Sequence, residues 1–114
     1  VQHSLQAMLE FHHQGKLSLE KIAEKMSHRV AELFRIEDRG FIREGYYADL
    51  ALVNPAAPQT VQPGNIYYHC GWSPFEGYTF QSSVTHTWVS GHLAWAEGAF
   101  QAFQPGKRLL FRVD

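Results

Sequence analysis

Arg43-Glu44-Gly45-Tyr46-Tyr47-Ala48-Asp49-Leu50-Ala51-Leu52-Val53-Asn54-Pro55 is the stretch on which the reading of this chain turns. Gly45 supplies a turn, residues 48–53 form a nearly continuous apolar strand, and Pro55, lacking an amide hydrogen for a ladder, stops it. A strand this apolar is expected to be covered on both faces or to lie at a junction of layers. Asp49 alone interrupts it.

The texture of the chain differs on the two sides of this stretch. Upstream, Leu5, Met8, Leu9 and His12 fall at the spacing of a buried helical stripe, and Gly15 is a left-handed stop. Ser18 is an N-cap for a second helix repeating Leu19, Ile22, Ala23 and Met26. Ser27 is expected to cap a third short helix with Val30, Leu33 and Phe34 turned inward. From Gly40 onward, Gly and Pro punctuate a composition rich in Tyr, Trp, Phe, Val and Thr, which favours strands and turns. Residues 54–65 read as a surface loop, and Ile66, Tyr68 and Cys70 alternate as in a half-buried strand. Residues 84–89, Ser90-Gly91 and 92–96 spell a two-residue hairpin, with Gly98 ending the return strand. Residues 109–113 suggest one further short strand. The fold class is mixed α and β, with a boundary between Ile36 and Gly40.

The 114 residues suffice for one small domain or part of a larger one. With 45% hydrophobic and 18% charged residues the chain is globular, and a net charge of −1 gives no basic excess for nucleic acid. Cys70 is the only cysteine, so no intrachain disulfide forms and a reducing, cytoplasmic setting is expected. No apolar run approaches the roughly 18 residues needed to span a bilayer, which predicts no membrane partner. The chain opens at Val1, directly in a helical pattern, and this suggests a piece of a longer protein.

Chemistry-bearing residues are scattered. Of the seven histidines, His12 and His13 are adjacent and would point about 100° apart on a helix. His69 stands beside Cys70 and would face the opposite side of a strand. His86 and His92 flank the hairpin and are the pair that could approach one another across it. With His69 they could make a small metal-binding set, but no carboxylate joins them. Cys70 lacks a positioned base and reads as a small buried hydrophobe. Ser73, Ser82, Ser83 and Ser90 sit in turns without a nucleophile elbow. Glu76, within Ser-Pro-Phe-Glu-Gly, is expected to cap backbone amides or pair with an arginine. Arg35, Arg39 and Arg43 recur every four residues, diluted by Glu37, Asp38 and Glu44, and read as a solvated face. The residues therefore nominate no catalytic, metal or substrate-binding position.

Trp72-Ser73-Pro74-Phe75-Glu76-Gly77, Val84-Thr85-His86-Thr87 and Gly106-Lys107-Arg108-Leu109 resemble the C-terminal end of dihydroorotases in the amidohydrolase superfamily. Gly40-x-Ile42-x-x-Gly45-x-x-Ala48-Asp49-Leu50 is similar to a strand entry shared widely across that superfamily. Residues 27–34 resemble its late helix, with His28-Arg29-Val30-Ala31 where an Asn-Pro-Ala is usual. Allantoinases and hydantoinases share much of the same tail. The resemblance implies the last helices of a (β/α)₈ TIM barrel over residues 1–38 and the C-terminal strands of a small β-sandwich over 39–114. It implies a hydrolase that reversibly opens the cyclic amide of dihydroorotate to carbamoyl aspartate in pyrimidine biosynthesis. There a zinc-bound hydroxide would attack while an aspartate shuttles the proton. The family's metal ligands would all precede Val1, so zinc belongs to the parent and none to this segment. The segment alone is expected to be inactive and structural. Its partners would be the barrel and the N-terminal sandwich strands, and without them its apolar stripes would favour self-association. Two other readings stand: a related cyclic amidohydrolase, and a stand-alone interaction module.

Overall fold

The computed structural model describes residues 1–113. Helix α1 (Ser4–His13) is followed by Gly15 at φ +72°. Helix α2 (Leu19–Ala23) begins where the Ser18 hydroxyl accepts the Lys21 amide at 3.1 Å. This satisfies one of the amides that a helix start leaves without a partner. The third helix does not start at Ser27. A π-helical turn (Glu24–His28) carries α2 directly into α3 (Arg29–Leu33), since Ala23, Glu24, His28 and Arg29 are all right-handed helical. Val30, Leu33 and Phe34 are exposed, Leu33 at 76%, and Ala31 is the residue of α3 that is buried.

The β region is one antiparallel sheet ordered β1 (Leu50–Asn54), β4 (Ser83–Val89), β5 (His92–Ala96), β6 (Ala99–Phe100). The short pair β2 (Gln59–Thr60) and β3 (Thr79–Phe80) lies apart from it. Ser90 and Gly91 at φ +49° and +82° form the expected hairpin turn, the positive angles matching the strands' twist. Gly98 ends the return strand as expected, just past Ala96. With Glu97 it repeats the same geometry, at φ +49° and +85°, and turns the chain into β6.

Two strand expectations fail: residues 66–70 form no strand, and residues 109–113 contribute an isolated bridge between Ile36 and Phe111. Of the two alternatives for β1, cover on both faces is not met, because Ala51 and Leu52 are exposed. Instead, β1 faces α1 and α2 across an open groove of about 370 Å³ lined by Leu5, Leu9, Ile22, Met26, Leu50 and Val53.

What fastens α1 is largely polar. Gln6 Nε2 donates to Gln59 Oε1 at 3.0 Å and to the Ser82 carbonyl at 3.2 Å. Gln2 donates to the Asn65 carbonyl at 2.7 Å and accepts the Tyr67 amide at 3.0 Å. Glu10 accepts the Gln81 amide, and His13 Nε2 lies 2.8 Å from the hydroxyl of Ser82, which is fully buried. Gln2, Gln6, Glu10 and His13 are four, four and three residues apart and so share one helix face. That face clamps the irregular chain between β2 and β4, satisfying backbone groups that no ladder reaches, the buried Ser82 carbonyl among them.

Candidate functional site

The sequence motif around Gly40–Leu50 builds the most connected side-chain cluster of the molecule. Arg39 is only 7% exposed. Its Nη1 donates to Asp49 Oδ2, its Nη2 donates to the Lys107 carbonyl at 3.1 Å, and its guanidinium lies 4.2 Å above the Tyr47 ring. Asp49 Oδ1 accepts the Ser90 amide at 2.7 Å, and the Ser90 hydroxyl accepts the Lys107 amide at 3.1 Å. Asp49 thus interrupts the apolar strand because it ties the 39–49 loop, the hairpin turn and the 106–107 segment at one point. Arg39 is not part of a solvated face; its burial depends on partners ten and 68 residues away. Here the sequence did carry a signal, a single carboxylate set in an apolar strand.

Gly40 and Gly106 permit close approach. At Gly40 (φ +81°) a Cβ would lie 2.4 Å from Ala31 Cβ and 2.9 Å from the Ser27 carbonyl oxygen. Phe41, next in the chain, stacks on His28 at 4.4 Å with ring planes 4° apart. The loop is therefore seated directly on the π turn. Ser27 matters there through its carbonyl, where the sequence suggested its hydroxyl. At Gly106 a Cβ would meet Val89 Cγ1 at 2.9 Å.

The histidines do not converge. In the β4–β5 register His86 faces Ala96 and His92 faces Val89, so the hairpin separates them. His86 stacks on Trp88, and His92 Nε2 lies 2.6 Å from the Ala102 carbonyl oxygen. Among the described residues no group of three or more His, Cys, Asp or Glu side chains is placed to hold a metal ion. The zinc that the family resemblance implies therefore has no ligand set within these residues. Cys70 is exposed rather than buried, and its thiol donates to the Trp72 carbonyl at 3.5 Å. Glu76 is exposed, and its carboxylate has no hydrogen-bonding or ionic partner among the described residues, so neither the cap nor the arginine pair forms.

His3 is the buried histidine. It stacks on Phe80 with centroids 5.8 Å apart, meets Tyr68 and Phe75 edge-on, and has the Ser73 hydroxyl 3.3 Å from Nδ1. Burial first, and the Val1 ammonium second, hold its pKa below the ordinary imidazole value. Between that ordinary value, about 6.5, and the lower folded one, the unfolded chain binds more protons than the folded chain. Stability is expected to be full above about pH 6.5 and to fall as pH drops below it. In urea melts across that range, His3→Phe should flatten this part of the slope; an unchanged slope would assign the acid sensitivity elsewhere.

A cavity of about 550 Å³ lies between the start of α1 and the β4–β5 face. Gln6, Gln59, Tyr67, Thr85, Thr87 and Trp95 line it, and Glu97 is its only carboxylate. No histidine, cysteine or lysine enters the lining, so amides and hydroxyls are present without a base to activate a nucleophile. The cluster around Arg39 ties three segments of the chain at one point.

The chain is 36% identical over 109 residues to an allantoinase from Desulfitobacterium hafniense, covering 95% of this chain and 24% of that protein. It is 29% identical over 103 residues to a dihydroorotase from Pyrococcus furiosus, covering 90% of this chain and 25% of that protein. The fold superposes on an L-hydantoinase (dihydropyrimidinase) from Arthrobacter aurescens with a TM-score of 0.80 and 28% identity, over 87% of this chain and 22% of that one. The chain thus spans about a quarter of the length of the relatives it matches. Residues 9–94 match the amidohydrolase family, and the chain belongs to that family.

Proposed function

We propose that this chain is the structural C-terminal part of a cyclic amidohydrolase, which closes and braces the parent enzyme while the reacting groups lie in the remainder. The observation that carries the reading is the pairing of near-complete coverage of this chain with about a quarter coverage of its relatives. Residues 1–38 would be the last barrel helices and 39–114 the C-terminal share of the β-sandwich. Zinc, if the parent uses it as the family resemblance implies, would be held by residues outside this segment. The relatives are named for three different rings, and the similarity does not favour dihydroorotate over allantoin or a hydantoin. The proposed chemistry is therefore cyclic amide hydrolysis, with the ring to be identified by assay.

The remaining parent would cover what is open here: the apolar groove beside β1, its unpaired outer edge, and side chains such as Ile42, 89% exposed. The isolated chain should self-associate through these faces, seen as a weight-average mass that rises with concentration in light scattering. An antibody to this chain should detect a band far above its 13.0 kDa in source cells. A band at that size alone would favour the stand-alone interaction module.

A further inference from the structure

Residues 68–74 form neither helix nor strand and are anchored at both ends. Before them, the Tyr67 amide donates to Gln2 Oε1 and the Tyr67 ring packs edge-on against Trp95 and Phe100. After them, the Gly77 amide donates to the Val61 carbonyl at 2.8 Å. Beyond its own turns, the hydrogen bonds of this segment among the described residues end on His3 and Val1. The buried Ser73 hydroxyl accepts the Phe75 amide at 3.2 Å, so its own proton is directed at His3 Nδ1, 3.3 Å away. The Tyr68 hydroxyl accepts from the Val1 nitrogen at 3.2 Å, and its proton is directed at the same Nδ1 at 3.4 Å. Nδ1 is therefore an acceptor, which fixes His3 as the neutral tautomer with its proton on Nε2. Phe80, Tyr68 and Phe75 wall the ring, which is 3% exposed. The titratable groups facing it are the Val1 amino group and the Tyr68 hydroxyl. Glu10 on α1 is engaged by the Gln81 amide and the Tyr78 hydroxyl, Cys70 gives its proton to the Trp72 carbonyl, and His69 and Glu76 are exposed. Among the described residues no carboxylate bonds to the imidazole to offset a positive charge.

We infer that residues 68–74 are an acid-released strap, latched to the start of α1 by neutral His3. Protonation puts a hydrogen on Nδ1, which turns the acceptor of two hydroxyl protons into a donor and places a charge where water is excluded. Both effects disfavour the latched arrangement, so release is favoured as pH falls below the ordinary imidazole value of about 6.5. The strap and the face of α1 carrying Ser4, Ala7 and Met8 line a cavity of about 640 Å³, and lifting the strap opens its wall. This is a local opening, distinct from the loss of overall stability at acid pH, and it is independent of which ring the parent enzyme opens.

The test is hydroxyl-radical footprinting, read by mass spectrometry, of the intact protein carrying this chain in steps from about pH 7.5 to about pH 4.5. Oxidation of Tyr68 and Phe75, both half-buried in the latched arrangement, is expected to rise about threefold or more as pH falls, while Trp88 in β4 holds constant. His3→Phe, which keeps a stacked ring, should abolish the rise. Ser73→Ala removes a donor that favours neutral Nδ1, so it should move the rise to higher pH, and it carries the test if His3→Phe does not fold. Constant oxidation at Tyr68 and Phe75, a rise that persists in His3→Phe or keeps its midpoint in Ser73→Ala, or an equal rise at Trp88 overturns the inference.

Discussion

Asp49→Ala is expected to destabilise the fold by about 3 kcal/mol, the low end for breaking a buried ion pair, because Asp49 keeps 34% side-chain exposure. The effect arises mainly at Arg39. Once Asp49 is gone, a guanidinium only 7% exposed retains one carbonyl acceptor and no counter-charge, and the Ser90 amide loses its acceptor too. Asp49→Asn keeps an acceptor for Ser90 but not the charge, and should fall between the two. Adding Arg39→Met to Asp49→Ala should recover part of the loss, since replacing both partners of a buried pair leaves no isolated charge. Urea melts followed by tryptophan fluorescence suit this series, because Trp88 pairs with Leu50 in the sheet. An Asp49→Ala midpoint within about 0.5 kcal/mol of the parent's, the size of an ordinary surface change, would show that the network does not brace the fold.

Gly40→Ala should cost a similar amount for a different reason. The left-handed backbone contributes about 1–2 kcal/mol for a residue with a Cβ, and overpacking against Ala31 and the Ser27 carbonyl adds about 1–3 kcal/mol. Gly45 provides the control. Its φ of +83° is nearly that of Gly40 at +81°, yet no atom lies within 4 Å of a Cβ built there. Gly45→Ala should therefore show the backbone part alone, and the difference between the two variants measures how closely the loop sits on the π turn. Ala31→Gly in the Gly40→Ala background should return part of the loss. Equal costs at Gly40 and Gly45 would mean that the loop can lift away from the helix.

Local chemistry was legible in the sequence, and long-range burial was not. The Ser18 cap, the Gly15 stop and the Ser90-Gly91 hairpin each depend on a few neighbouring residues, and each forms as expected. Ser27 has the same capping chemistry, but a capping residue acts only if the helix stops there, and the π turn carries it through. Ile66, Tyr68 and Cys70 alternate like a strand, yet alternation does not supply a partner. Side chains of α1 take the place of one, with Gln2 accepting the Tyr67 amide and His3 lying beside the Tyr68 hydroxyl. Arg39 looked solvated because its counter-charge and carbonyl acceptor come from distant segments.

The family resemblance reached further than the residue-by-residue reading. It placed the chain among amidohydrolases, which the match over residues 9–94 bears out. Its narrowing to dihydroorotase is not favoured over the alternatives, since the similarity extends as well to an allantoinase and a hydantoinase.

The central claim is that this chain braces a cyclic amidohydrolase whose chemistry lies in the rest of the parent. The most direct test is to assay ring opening of dihydroorotate, allantoin and hydantoin by the intact parent protein and by this chain alone. The account predicts that the parent opens at least one of the rings and the isolated chain opens none. Ring opening by the isolated chain, or a parent inactive on all three, would contradict it.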